Sequence, residues 1–156
     1  MSAAHSHGSW SSGTPVTDGT DEHGLRYIPE PTCLHLIGQE RIGRLGLSVG
    51  SLPVILPVNY VLQGRTIVFR SEEGEKTRAA EQSTVACLEV DQFDRFEHSG
   101  WSVLATGRLT IAPPDRAEAY ERLPVVPWAL RKESRFIELS IELLSGRSIR
   151  AHHSAP

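Results

Sequence analysis

Arg70-Ser71-Glu72-Glu73-Gly74-Glu75-Lys76-Thr77 brings an arginine, a hydroxyl, a glycine turn and a lysine into one short stretch. Groups of this kind bind a phosphate. Arg70 and Lys76 would give charge-assisted hydrogen bonds, the Ser71 hydroxyl another, and backbone N–H groups would serve where a helix opens at Lys76. The stretch is not a Walker loop, because Glu75 separates Gly74 from Lys76 and the upstream glycine is missing. Glu72, Glu73 and Glu75 oppose an anion unless they point away, so a solvated charged turn is the competing reading.

Two further constellations add polar and aromatic groups. In Pro57-Val58-Asn59-Tyr60, a proline inside a strand-like run implies an edge or a break in pairing. Asn59 and the Tyr60 ring would stand beside that free backbone; an ordinary edge strand with an exposed tyrosine reads the same way. Ser99-Gly100-Trp101-Ser102 delivers a large ring and a hydroxyl into the start of a long strand, where Trp101 could equally cap a barrel. Pro127-Trp128 is a similar wedge before the last strand. Together these describe a phosphate clamp, a polar backbone edge and aromatic walls, which suit a planar phosphorylated cofactor.

Hydrolytic chemistry finds no support. No Ser/His/Asp or Cys/His arrangement is readable, and the carboxylates show no paired acid/base spacing. His35 is expected on the apolar side of a short helix as a structural residue, and Cys87, between Ala86 and Leu88, as strand packing. His5-x-His7 and His152-His153 lack a third fixed ligand, so no metal site is indicated.

The elements that must position these groups read mostly as strands. Pro31 suits the first turn of a short helix carrying Leu34, Leu36 and Ile37 and stopped by Gly38. Residues 41–49, 53–62 and 66–70, separated by Gly50-Ser51 and Gln63-Gly64, form an antiparallel meander. A helix-prone piece follows at 76–82, then strands at 84–91 and 101–111, a helix opened by Pro113-Pro114-Asp115, and a last strand at 135–144. Six short strands with two or three small helices suit a closed or partly open β-barrel.

Composition sets the outer bounds. Lys+Arg 16 against Asp+Glu 19 leaves a net charge of −3 over 156 residues, without the electrostatic footprint of a nucleic-acid coat. The longest apolar stretch, residues 52–62, contains Pro53, Pro57 and Asn59 and is too short to span a bilayer. Residues 1–24 show no secretory signal, and Cys33 and Cys87 make no disulfide framework, so a cytoplasmic protein with free thiols is expected. Those first residues read as a disordered tail, 25–150 as the domain, and 151–156 as a frayed terminus.

In order and spacing, several runs resemble the pyridoxamine 5′-phosphate oxidase-like, FMN-binding split-barrel family. They are Leu56-Pro57-Val58-Asn59-Tyr60, Val68-Phe69-Arg70-Ser71 with Gly74-x-Lys76, Glu89-Val90-Asp91, and Gly100-Trp101-Ser102-Val103 with Thr106-Gly107-Arg108. Pro127-Trp128 and Ser145-Gly146-Arg147 resemble late motifs of its nitroimidazole-resistance-like bacterial branch. In relatives the phosphate loop is less acidic, often with Thr in place of Ser71, and a second Arg commonly stands where this chain has Ser148.

The resemblance implies a six-stranded antiparallel split β-barrel with a few short helices, forming a homodimer with two FMN sites at the subunit interface. It implies that Pro57, Val58, Asn59 and Tyr60 run along the isoalloxazine ring, and that Arg70, Ser71 and Lys76 hold the phosphate. Ser99, Gly100, Trp101, Ser102, Trp128 and Arg147 would line the site, some of them from the second subunit. The implied activity is hydride exchange between flavin and a small organic substrate, with no obligatory protein acid or base. Residues that mark a true pyridoxamine phosphate oxidase are not seen. Rival readings are a deazaflavin-dependent reductase, with Arg65, Arg70, Arg78 and Arg95 as candidates for its basic groove, and a non-catalytic flavin- or haem-binding protein with His98 as axial ligand. A dimer without cofactor is the third.

Overall fold

A computed structural model of the chain describes residues 25–96, 98–125 and 133–149. Pro127, Trp128 and both predicted tails lie outside the described residues. The elements run β1 (Arg26–Ile28), α1 (Glu30–Gln39), β2 (Ile42–Val49), β3 (Leu52–Gln63), β4 (Thr66–Glu72), α2 (Glu75–Glu81), β5 (Val85–Asp94), β6 (Ser99–Ile111), α3 (Pro114–Tyr120) and β7 (Ser134–Ile149). All pairings are antiparallel, in the order β1-β7-β4-β3-β2-β5-β6, and β6 pairs back onto β7. That last pairing closes six strands into a ring, the six-stranded split barrel that the sequence predicts. Closure satisfies strand edges that an open sheet would leave to aggregate.

Period-two patterning fills the barrel. Leu45 and Leu47 of β2, Ala86, Leu88 and Val90 of β5, and Val103, Ala105 and Leu109 of β6 are buried in one cluster with Tyr60, Ile67, Phe69 and Leu139. Helix α1 stoppers this core with Cys33 and Ile37, and the Tyr60 hydroxyl donates to the Ile37 carbonyl at 2.6 Å. Strand β4 is buried on both faces: alternation predicts Val68 outward, yet it is fully covered by a second cluster with Val125 and Phe136, backed by Tyr120 and Leu123 around α3. A helix packed from far along the chain overrides the local pattern.

Two glycine positions show why the strands turn and close where they do. The β2–β3 turn needs left-handed backbone at Gly50 (φ 54°) and Ser51 (φ 68°), the two-residue hairpin whose twist matches its strands. At the irregularity between Thr106 and Gly107, β6 and β7 press together so closely that a Cβ on Gly107 would lie 1.5 Å from the Ser140 carbonyl oxygen. Only glycine fits there.

Some elements depart from expectation. Strand β1 is an addition, paired to the far half of β7; three residues carry too little pattern to be read. Helix α1 continues through Gly38 to Gln39, with Ile37 beside it buried in the core. β7 extends to Ile149 because β6 pairs along it to that point. His35 is exposed rather than apolar-facing, bonded to the Gln39 side chain at 3.1 Å. No helix among the described residues is long and apolar enough to cross a membrane.

Candidate functional site

Strand β3 pairs with β2 along residues 52–59 but with β4 only along residues 60–63. Along the first stretch no described strand covers its other side, so Pro57 sits on an open edge where its missing N–H costs no ladder bond. Alternation then divides the neighbouring residues. Pro57 and Asn59 face outward, whereas Val58 and Tyr60 are buried in the barrel core. The predicted ring face at Tyr60 is therefore corrected: the side chain is 1 % exposed, burial pushes its hydroxyl pKa up, and it anchors α1 instead.

Beyond that edge, β4 delivers Arg70 to the outer face and Ser71 to the inner one. The Arg70 guanidinium lies over the Phe136 ring at 4.5 Å, and its two Nη groups donate to the Glu121 carboxylate at 3.2 and 3.4 Å. Arg70 Nε and Glu72 Oε1 are both buried without a hydrogen-bond partner. Both atoms lie on the outer face of β4. Ser71 is buried, and both its hydroxyl and that of Thr77 donate to the Glu72 carbonyl, at 3.0 and 2.6 Å, which closes the turn into α2. Gly74 caps that helix without a side-chain hydrogen bond, and half-buried Lys76 stands in its first turn.

One of the loop's three acids, Glu73, is held by a residue the sequence did not single out. The register pairs Ser71 with Arg135, and Arg135 donates to Glu73 at 3.0 Å and to Glu81 at 2.6 Å. One guanidinium thus holds two carboxylates near the loop, of which Glu73 belongs to the loop itself. Glu138, a second residue not singled out, is 6 % exposed and accepts from Arg116 and from the Tyr120 hydroxyl, each at 2.9 Å. It pins α3, and through it the segment that carries Glu121. Neither link has a local signal, since both join residues distant in the chain.

A second group forms at the other end of the barrel. Gly100, Trp101 and Ser102 pair with Phe93, Gln92 and Asp91 on one side and with Ile149, Ser148 and Arg147 on the other. Ser102 and Arg147 meet on the outer face, while Trp101 leans against the core. The Arg147 guanidinium lies 5.5 Å from the Tyr27 ring. A groove of about 700 Å³ runs here between Phe93, Phe96, Ser99, Gly100 and Trp101, with Phe96 95 % exposed at the hairpin tip.

The fold does not bring the two groups together within one chain. β2 and β5 lie between β3 and β6, three strand steps or roughly 14 Å. The strip between is occupied by Arg44, which ion-pairs with Glu89 at 2.8 Å and with Asp91. Other chemistry is not in evidence nearby. No group of three His, Cys, Asp or Glu residues that could hold a metal occurs among the described residues. Burial pushes the Cys33 thiol up to about 11, which leaves it protonated and unreactive at neutral pH. His98 is exposed on a left-handed turn (φ 49°).

Comparison with known proteins places this geometry. The family model described as pyridoxamine 5′-phosphate oxidase matches residues 29–148. An uncharacterised protein of Mycobacterium tuberculosis is 27% identical over 130 residues, covering 80% of this chain and 85% of that one. Among solved structures, a Corynebacterium glutamicum protein provisionally named a pyridoxamine 5′-phosphate oxidase superposes with a TM-score of 0.72 at 20% identity, covering 81% of this chain and 98% of the other. An FAD-binding protein of Mycobacterium smegmatis superposes with a TM-score of 0.69 at 24% identity, covering 80% and 98%.

Proposed function

The chain belongs to the pyridoxamine 5′-phosphate oxidase family, and from that premise we propose that it binds FMN and works as an oxidoreductase on a small organic substrate. The observation that carries this reading is the phosphate loop. Arg70, Ser71 and Lys76 lie within one β4–α2 turn, Arg70 on its outer face and Ser71 buried, and Arg135 ion-pairs with Glu73 and Glu81 beside them. The bound flavin would supply the hydride chemistry. The protein's part is to bind and orient: Pro57 and Asn59 offer an open backbone edge to the ring, and Lys76 and Arg70 hold the phosphate.

The distance between the two groups supports a homodimer in which Gly100, Trp101, Ser102 and Arg147 of one copy complete the site begun by β3 and β4 of the other. An apolar outer row is available for such a contact: Ile55, Gly46, Cys87, Thr106 and Leu143 are successive register partners across five strands, with Ile55 72 % and Leu143 61 % exposed. The deazaflavin alternative needs a broad basic groove, and of its candidates Arg65 is already paired with Glu30.

An absorbance spectrum of the purified protein, before and after adding flavin and removing the excess, tests the reading. Retention of the two flavin bands after FMN supports it. Retention of FAD alone would move the assignment to the dinucleotide, as in the Mycobacterium smegmatis relative, and retention of neither would overturn it.

A further inference from the structure

The Arg70 guanidinium has two edges in very different surroundings. Its Nε side is buried and unpartnered, one face of the plane lies over Phe136, and the side chain as a whole is 25% exposed. An anion arriving from solvent can therefore reach only the Nη edge. That edge is taken: both Nη groups donate to the carboxylate of Glu121, whose own side chain is 58% exposed and stands just past the end of α3. The fork-to-fork geometry is the one a phosphate would use. α3 in turn is held over β4 and β7 by Arg116 and Tyr120 on buried Glu138.

We propose that Glu121 is an internal stand-in for the phosphate, a specificity-determining residue that the 5′-phosphate of a flavin must displace from Arg70. The inference rests on Arg70 being a phosphate contact, as the proposed function has it. Its consequence is selective. Glu121 lowers affinity for phosphorylated flavins and leaves the ring's own binding untouched, because riboflavin brings no group to the Nη edge. A mono-anion with the charge of a carboxylate would compete poorly, whereas a phosphate carries nearly two charges and would prevail. The opposite role is also definable: if Glu121 merely positions Arg70, its removal should weaken phosphate binding.

Fluorescence titration of the full chain with FMN and with riboflavin separates these roles, using Glu121→Gln, Glu121→Ala and, as a control of equal charge change on an exposed residue of α3, Glu118→Ala. Loss of one half-exposed ion pair from the competing state should tighten FMN by about fivefold in both Glu121 variants. Riboflavin affinity and the Glu118→Ala protein should be unchanged. Weaker or unaltered FMN binding in the Glu121 variants, or the same gain in Glu118→Ala, overturns the inference while leaving the flavin reading intact. If neither the wild type nor any variant takes up FMN or riboflavin, the flavin reading itself falls, and this inference with it.

Discussion

Lys76 and Cys33 show how differently two titratable side chains are used. Lys76, half-buried in the first turn of α2, is one side of the proposed phosphate clamp. Lys76→Ala should remove one charge-assisted contact, about 1.5–3 kcal/mol, so FMN affinity drops by about 10- to 100-fold. Riboflavin should bind as before, and parallel titrations check this; equal losses for both would remove Lys76 from the phosphate. Cys33 serves packing, with its thiol donating to the Ile28 carbonyl at 3.4 Å. Burial raises its pKa from the ordinary 9.0 to about 11. Below pH 9 the thiol is protonated in both folded and unfolded chains and its contribution is complete. Between pH 9 and 11 only the unfolded thiol ionises, so stability falls as pH rises, by up to about 1.4 kcal/mol per pH unit. Urea melts at pH 8 and pH 10.5 should show this loss in the wild type and a smaller one in Cys33→Ala; identical slopes would mean the thiol is not the titrating group.

Helix α3 is the element on which the outer site depends, and it is held by side chains more than by its own length. Seven residues with no buried side chain among them cannot be stable alone. Glu138 supplies the anchor: it accepts from Arg116 and Tyr120, and burial, followed by the bond to Glu138, pushes the Tyr120 hydroxyl up to about 12. Tyr120 also meets Phe136 edge-on, with ring centroids 5.7 Å apart. Glu138→Ala should cost about 1–2 kcal/mol in urea unfolding and free the Glu121 segment. Amide exchange confined to residues 114–123 would rise, whereas the barrel strands keep their protection. Uniform loss of protection through the barrel would show that Glu138 belongs to the global core instead.

At the scale of the whole molecule the barrel is complete in one chain, and the proposed homodimer would join the two halves of the site. Two strands and the Arg44 ion-pair cluster separate its halves, and the apolar row from Ile55 to Leu143 is left facing out. Ile55→Glu together with Leu143→Glu should yield a monomer by light scattering coupled to size exclusion. Each copy then loses the second half of its site, so flavin retention should fall in step with dimer fraction. A charged variant that stays dimeric places the subunit contact elsewhere; one that becomes monomeric yet retains FMN as tightly as wild type places the site within a single chain.

Strand positions and turns were legible in the sequence because each rests on information a few residues wide, whereas the six-stranded barrel was implied by the family resemblance, since its closure joins β6 to β7. Alternation in β2, β5 and β6, the Gly50-Ser51 turn, and Pro57 within β3 all act through local sterics and hydrogen bonding. Arg70, Ser71 and Lys76 were legible as anion-binding types for the same reason, since spacing brings them to one strand end and one helix start. Which way they point, and what they already hold, was decided by tertiary structure alone. Tyr60 went inward to cap the core, Val68 was covered by a helix from far along the chain, Arg135 crossed from β7 to balance Glu73, and Glu121 came to rest on Arg70. Each of those contacts joins residues more than twenty positions apart, and its strength depends on burial and approach distance that no run of sequence specifies.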